Sequence, residues 1–178
     1  MRMTRWGLGI TGALLAGSLL AQATETPLAD LEFEDGKAGW DGITLGMSIV
    51  QVERRTGLTL AMQGGEGKPS DSGCKAYLVG VERGTLRLTL GFPSAKPGAK
   101  LQSIYVHFEG YQVTAKSSAL VAELKSRIPG VTYMPQTGIP PHTEPEDPAP
   151  EYYLPGNAYA ARLVPGDGLW LTLADCLD

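Results

Sequence analysis

Residues 85–92 read Thr85-Leu86-Arg87-Leu88-Thr89-Leu90-Gly91-Phe92, a strict two-residue alternation. Leu86, Leu88, Leu90 and Phe92 fall on one side, with Arg87, Thr89 and Gly91 on the other. Successive side chains of a strand point to opposite faces, so this pattern describes a strand with one buried and one wet face. Upstream, Arg83-Gly84 separates it from a second extended run, Ala76–Glu82, and predicts a hairpin. Downstream, Leu101–Glu109 repeats the alternation, with Ile104, Val106 and Phe108 opposed to Tyr105, His107 and Glu109. Three neighbouring antiparallel strands are therefore expected between residues 76 and 109.

Helices flank this core. Ser48 with Gln51 three residues later forms a capping-box signature, in which each side chain satisfies a free amide at the helix start. Ile49, Val52 and, at the margin of the stripe, Val50 supply a buried side, and Gly57 is placed to stop the helix. A longer helix is predicted over about Thr114–Ile128, with Leu120, Val121, Leu124 and Ile128 at helical spacing before Pro129-Gly130. Further strands are expected at Gly42–Gly46, Leu58–Met62, Val131–Pro135, Tyr152–Leu154, Ala158–Val164 and Leu169–Ala174. Between them lie a Gly/Ser/Pro-rich loop at Gln63–Gly73 and a proline-rich acidic loop at Gln136–Pro150.

The expected class is α+β: short helices packed on an antiparallel sheet. Residues 42–178 form a single domain, with two candidate repeats, 42–110 and 111–178. Each half reads as helix, glycine, strand, long loop, then strands. A tandem duplication gives that order, and so does chance alternation of elements in an α+β chain. Residues 24–41 read as an irregular acidic lead-in; Asp30–Gly36 resembles a calcium loop only loosely, its glycine falling one place late.

The first 23 residues have the layout of a cleavable bacterial Sec-type secretion signal. Arg2 and Arg5 give a positive start, Trp6–Leu20 is uncharged and apolar, and Ala21-Gln22-Ala23 is a small-x-small site. The run is shorter than the roughly 20 residues a spanning helix needs. The arginines are not adjacent, and Ser18 stands where a lipoprotein signal requires cysteine. A periplasmic or extracellular location follows as the expectation. In such an oxidising compartment the chain's two cysteines, Cys74 and Cys176, are expected to pair.

The net charge of −4, with no basic cluster, argues against nucleic acid or anionic lipid as a partner. No cofactor motif is found. Gly64-Gly65-Glu66-Gly67-Lys68 lacks the spacing of a phosphate loop. The two histidines, His107 and His142, bound any acid–base or metal chemistry. His142 shares a proline-stiffened loop with Glu144, Glu146 and Asp147, which spreads successive ligands apart, so no metal site is assigned. Carboxylate pairs such as Asp41 with Glu53, or Glu82 with Glu109, have no separation fixed by sequence, and glycosidase chemistry depends on that separation.

The segment from Gly42 to Gly57 resembles the opening of a family of small exported bacterial domains. That family includes the small-protein-A lipoproteins of outer-membrane assembly and the tandem-repeat β-lactamase inhibitory proteins. The resemblance is carried by Gly46-Met47-Ser48, Gln51, Val52 and Gly57. It implies a binding or scaffolding role without catalytic residues, with a sheet face as the contact surface. The residues that reach that face as exposed anchors are Tyr105, His107 and Trp170, and a protein from the envelope or the medium is the expected partner. The alternatives are a small exported hydrolase using His107 or the His142 loop and a structural domain that binds cell-wall polymer. The hydrolase requires His107 within reach of both a carboxylate and a hydroxyl.

Overall fold

The structure is a computed structural model and describes residues 28–60, 77–83, 86–108, 117–135, 149–164 and 168–177. Among the described residues, ten strands and two α-helices make an α+β fold in two antiparallel sheets. The smaller sheet holds β1 (Leu31–Glu34), β2 (Lys37–Trp40) and β3 (Ile43–Thr44). The larger runs in the order β4-β5-β6-β10-β9-β8-β7. Its members are β4 (Tyr77–Arg83), β5 (Leu86–Phe92), β6 (Ser103–His107), β7 (Thr132–Met134), β8 (Glu151–Tyr153), β9 (Tyr159–Val164) and β10 (Gly168–Leu173).

Helix α1 (Ile49–Thr56) starts as the sequence predicts. The Gln51 amide donates to Ser48 Oγ, and the Ser48 amide donates to Gln51 Oε1 at 2.7 Å. Gly57 closes the helix in the left-handed conformation, φ 73°, donating its amide to the Glu53 carbonyl. Ile49 and Val52 are buried, while Val50 points outward and is exposed. Only the two positions a helical turn apart reach the core, so Val50 leaves the expected stripe. Helix α2 (Ser117–Arg127) buries Leu120 and Leu124, and Ile128 follows them into the core just beyond its end.

Residues 31–40 correct the reading of 24–41 as irregular. Asp35 and Gly36 both have positive φ, 50° and 73°, and join β1 to β2 as a two-residue turn. That geometry matches the right-handed twist of the paired strands, and Asp-Gly is among the few pairs that adopt it at low cost. Leu31, Ala38 and Trp40 are buried, so the hairpin forms part of the core instead of leading into it. Trp40 is the exception to polar satisfaction there, since its buried Nε1 has no hydrogen-bond partner among the described residues. A second departure is at Leu58–Leu60, expected as a strand but outside any ladder; residues 61 and 62 lie outside the described part.

One cluster holds the inward residues of the large sheet together with the buried residues of both helices and the small sheet. Leu90, Ile104, Leu171 and Ala161 stand in one cross-strand row on that side, and Leu88, Val106, Leu169 and Leu163 in the next. Each fully buried aliphatic side chain contributes roughly 1.5–3 kcal/mol of transfer free energy. The helices and the β1–β3 sheet thus cover one face of the seven-stranded sheet, and the other face carries a mixture of polar, aromatic and a few aliphatic residues. The start of α1 is tied to the β5–β6 connection, where the Gly46 amide donates to the Leu101 carbonyl and the Leu101 amide to that of Met47.

The two halves of the large sheet meet at its centre. β4-β5-β6 is one meander and β7-β8-β9-β10 another, and their last strands, β6 and β10, pair antiparallel. Each meander is preceded by a helix and a positive-φ glycine, Gly57 or Gly130. This order brings positions 65 residues apart in sequence into direct register at the middle of the sheet.

Candidate functional site: the outer face of the large sheet

Strand register carries one row of residues across all seven strands: Gly80, Thr89, Tyr105, Trp170, Arg162, Glu151 and Met134. Alternation places the row on the face away from the helices. Tyr105 and Trp170 are direct cross-strand partners on the two central strands. His107, two residues beyond Tyr105, lies on the same face with its ring edge-on to Tyr105, the centroids 4.5 Å apart. The three anchors expected from the sequence therefore sit together, each half-buried.

Backbone geometry makes room for them. Gly168 stands opposite His107, and a Cβ at that position would lie 2.2 Å from the Val106 carbonyl oxygen and 3.1 Å from the Tyr105 ring. No side chain fits there. The tyrosine ring leans across the glycine, where it covers backbone that a side chain would otherwise shield.

Two residues that the sequence does not single out complete the row. Arg162 lies with its guanidinium carbon 5.3 Å from the centre of the Trp170 ring. Its Nε and Nη2 both reach Glu151 Oε1, forming an ion pair whose carboxylate is buried. An arginine held over an indole by a fixed carboxylate gains from the ring's negative face, and the carboxylate removes the cost of an unpaired charge. Arg162 thereby lies over the Trp170 ring from its β9 side. A strand pattern identifies Arg162 as outward-facing, since Ala161 and Leu163 beside it are buried. Its pairing with Glu151 needs the register, which no local pattern supplies.

His107 Nε2 is 2.8 Å from Thr89 Oγ1. Among the described residues no carboxylate lies within hydrogen-bond reach of His107, so the arrangement supplies one of the two neighbours a hydrolytic site requires. Among the described residues no group of three or more His, Cys, Asp or Glu side chains could hold a metal ion. The His142 loop lies outside the described residues, as do Glu109 and Gly64–Lys68. Glu53, considered with Asp41 as an acid–base pair, accepts the Leu60 amide at 2.9 Å. Cys176 is buried in a short 3-10 turn, Ala174–Cys176, after β10, and no described cysteine is free. Its expected partner, Cys74, lies outside the described residues. Among the described residues no helix is long and apolar enough to cross a membrane.

The face thus offers a preset aromatic pair, flanked by a histidine on one side and a neutralised arginine on the other. Compared with family models, with characterised proteins and with solved structures, the chain matches none.

Proposed function

We propose that the chain is an exported, non-enzymatic interaction module that binds a protein partner through the outer face of its seven-stranded sheet. The observation that carries this reading is the register of Tyr105 with Trp170, flanked by His107 and by Arg162 on its carboxylate. Aromatic rings fixed before binding lose little rotamer entropy on contact, and tyrosine, tryptophan and arginine dominate the energetics of protein interfaces. The resemblance of Gly42–Gly57 to the exported binding domains points the same way. On this reading the secretion signal expected in the first 23 residues puts the partner in the periplasm or outside the cell. The Cys74–Cys176 bridge belongs to this proposal as the covalent tie that fastens the end of β10 to the domain.

The hydrolase reading rests on the His107–Thr89 contact alone. Among the described residues it has no carboxylate to orient a catalytic histidine, and the contact is equally that of a cross-strand hydrogen bond.

The test is capture from an envelope extract with immobilised wild type, Trp170→Ala and Ser118→Ala. Ser118 is exposed on α2, away from the outer face. A partner retained by wild type and Ser118→Ala but lost with Trp170→Ala supports the reading. Equal retention by all three rejects it.

A further inference from the structure

The β1–β2 hairpin turns on Asp35-Gly36, and a second aspartyl-glycine pair, Asp41-Gly42, follows directly after β2. In both pairs the aspartate and the glycine have positive φ, 50° and 73° in the first, 48° and 73° in the second. Backbone shape therefore does not tell the two apart; their surroundings do. Asp35 and Gly36 are both exposed at the hairpin tip, and the Gly36 amide lies beyond the last rung of the ladder, Glu34 opposite Lys37.

Asp41 and Gly42 are half-buried and held. The Gly42 amide donates to Glu32 Oε1 at 3.1 Å, and the Asp41 amide to the Asp30 carbonyl at 3.0 Å. The Arg55 guanidinium packs where a Gly42 Cβ would stand. In a third pair, Asp167-Gly168, the glycine is fixed in the β10 ladder opposite His107, and the aspartate lies outside the described residues. A glycine after an aspartate matters chemically, because no side chain crowds its nitrogen as it approaches the preceding carboxyl carbon.

We propose that Asp35-Gly36 is a site of spontaneous backbone modification, at which the folded chain slowly converts aspartate to β-linked isoaspartate and so opens the β1–β2 hairpin. The Gly36 amide nitrogen attacks Asp35 Cγ. An N–C bond forms, the carboxyl C–OH bond breaks, and the amide proton leaves with that hydroxyl as water, giving a cyclic imide. Water then adds at the Asp35 main-chain carbonyl carbon and breaks its bond to the Gly36 nitrogen, so the chain now runs through the former side chain. The water gained equals the water lost, and no oxidant or cofactor takes part. The tip of a short ladder opens at low cost, which lets Asp35 leave its turn geometry for the ring closure. A two-residue turn sets Glu34 opposite Lys37, and the added main-chain methylene breaks that fit. Leu31, Ala38 and Trp40 carry the change from the exposed tip into the core. The inference does not depend on the reading of the outer sheet face.

Prolonged incubation of the purified full chain in mildly acidic buffer, then proteolysis and mass spectrometry that separates α- from β-linked aspartate, tests this. In the folded chain isoaspartate is expected at position 35 at least about tenfold faster than at 41, where reaction waits on local opening. In urea, which removes both surroundings, the two rates are expected to agree within about twofold. The aged chain is expected to exchange its β1 and β2 amides faster than fresh chain, with β6 and β10 unchanged. Asp35→Asn keeps a residue that accepts positive φ, loses ammonia in place of water, and is expected to reach the same β-linked product sooner. Three results would overturn the proposal. One is conversion at 41 as fast as at 35 in the folded chain. Another is no conversion at 35, in wild type or Asp35→Asn, by the time the urea-unfolded chain has converted. The third is conversion at 35 with hairpin exchange unchanged.

Discussion

Tyr105 and Trp170 face each other across the two central strands of the seven-stranded sheet, although 65 residues of chain separate them. The pairing exists because the last strand of each meander meets the other at the middle, so the largest outward side chains of both halves converge. Directly opposed aromatic residues contribute about 0.2–1 kcal/mol to a sheet. Here the Arg162 guanidinium also lies over the indole, while the tyrosine ring leans over Gly168.

The position of the Tyr105 ring depends on Gly168. Gly168→Ala drives a Cβ against the Val106 carbonyl oxygen, and an expected loss of about 1–3 kcal/mol follows from overpacking. Gly80→Ala, on the same face but over open space, is expected to be neutral or to stabilise by up to about 1 kcal/mol through the unfolded chain. Urea unfolding of both variants measures the contrast; equal losses would mean that the close approach at Gly168 is not real.

The Arg162–Glu151 pair is expected to behave as one unit. Glu151→Gln and Arg162→Gln each cost about 1–3 kcal/mol, below the range for a fully buried pair because the arginine side chain keeps 22% of its exposure. The double variant loses less than the sum, with a coupling of about 1 kcal/mol or more. A double-mutant cycle by denaturant unfolding supplies the number, and a coupling near zero removes Glu151 from the account of how Trp170 is held.

At the start of α1, Ser48→Ala removes the acceptor for the Gln51 amide and is expected to cost about 1 kcal/mol. Ser48→Gly costs only a few tenths, since glycine lets water reach the freed amide. Thermal unfolding of the two variants separates the lost side-chain bond from a general effect of substitution.

A Cys74–Cys176 bridge closes a loop of about 100 residues, which corresponds to about 4–5 kcal/mol in the chain-entropy model. The midpoint of urea unfolding is expected to fall on reduction, and alkylation before reduction is expected to leave the mass of the chain unchanged. Modification of both thiols without reductant contradicts the bridge.

Legibility followed the physics of each element. Short-range signals were sufficient where one side chain answers another a few residues away: the Ser48–Gln51 box, the Gly57 stop and the alternation of β5 and β6 can all be read locally. The β1–β2 hairpin was obscured by composition. Its strands are four residues long and β1 carries Glu32 and Glu34 on the outside, so the acidic character outweighs the Asp35-Gly36 turn that defines it. Leu58–Leu60 has strand-forming residues but no ladder to join, a tertiary outcome that propensity does not contain. For the site, alternation was enough to turn Tyr105, His107 and Trp170 outward. It could not bring Glu151 beneath Arg162, because register between strands is fixed by the whole sheet.

The claim on which the functional account rests is that a partner seats on the face centred on Tyr105. Tyr105→p-benzoylphenylalanine keeps an aromatic ring at that point and lets light join it to whatever lies against it, with the same photoreactive residue at the exposed α2 position Ser118 as the comparison. After irradiation in an envelope extract, a discrete cross-linked product from position 105 and none from 118 is the predicted result. A product from 118 with none from 105 would place the partner on the helical side and contradict the account.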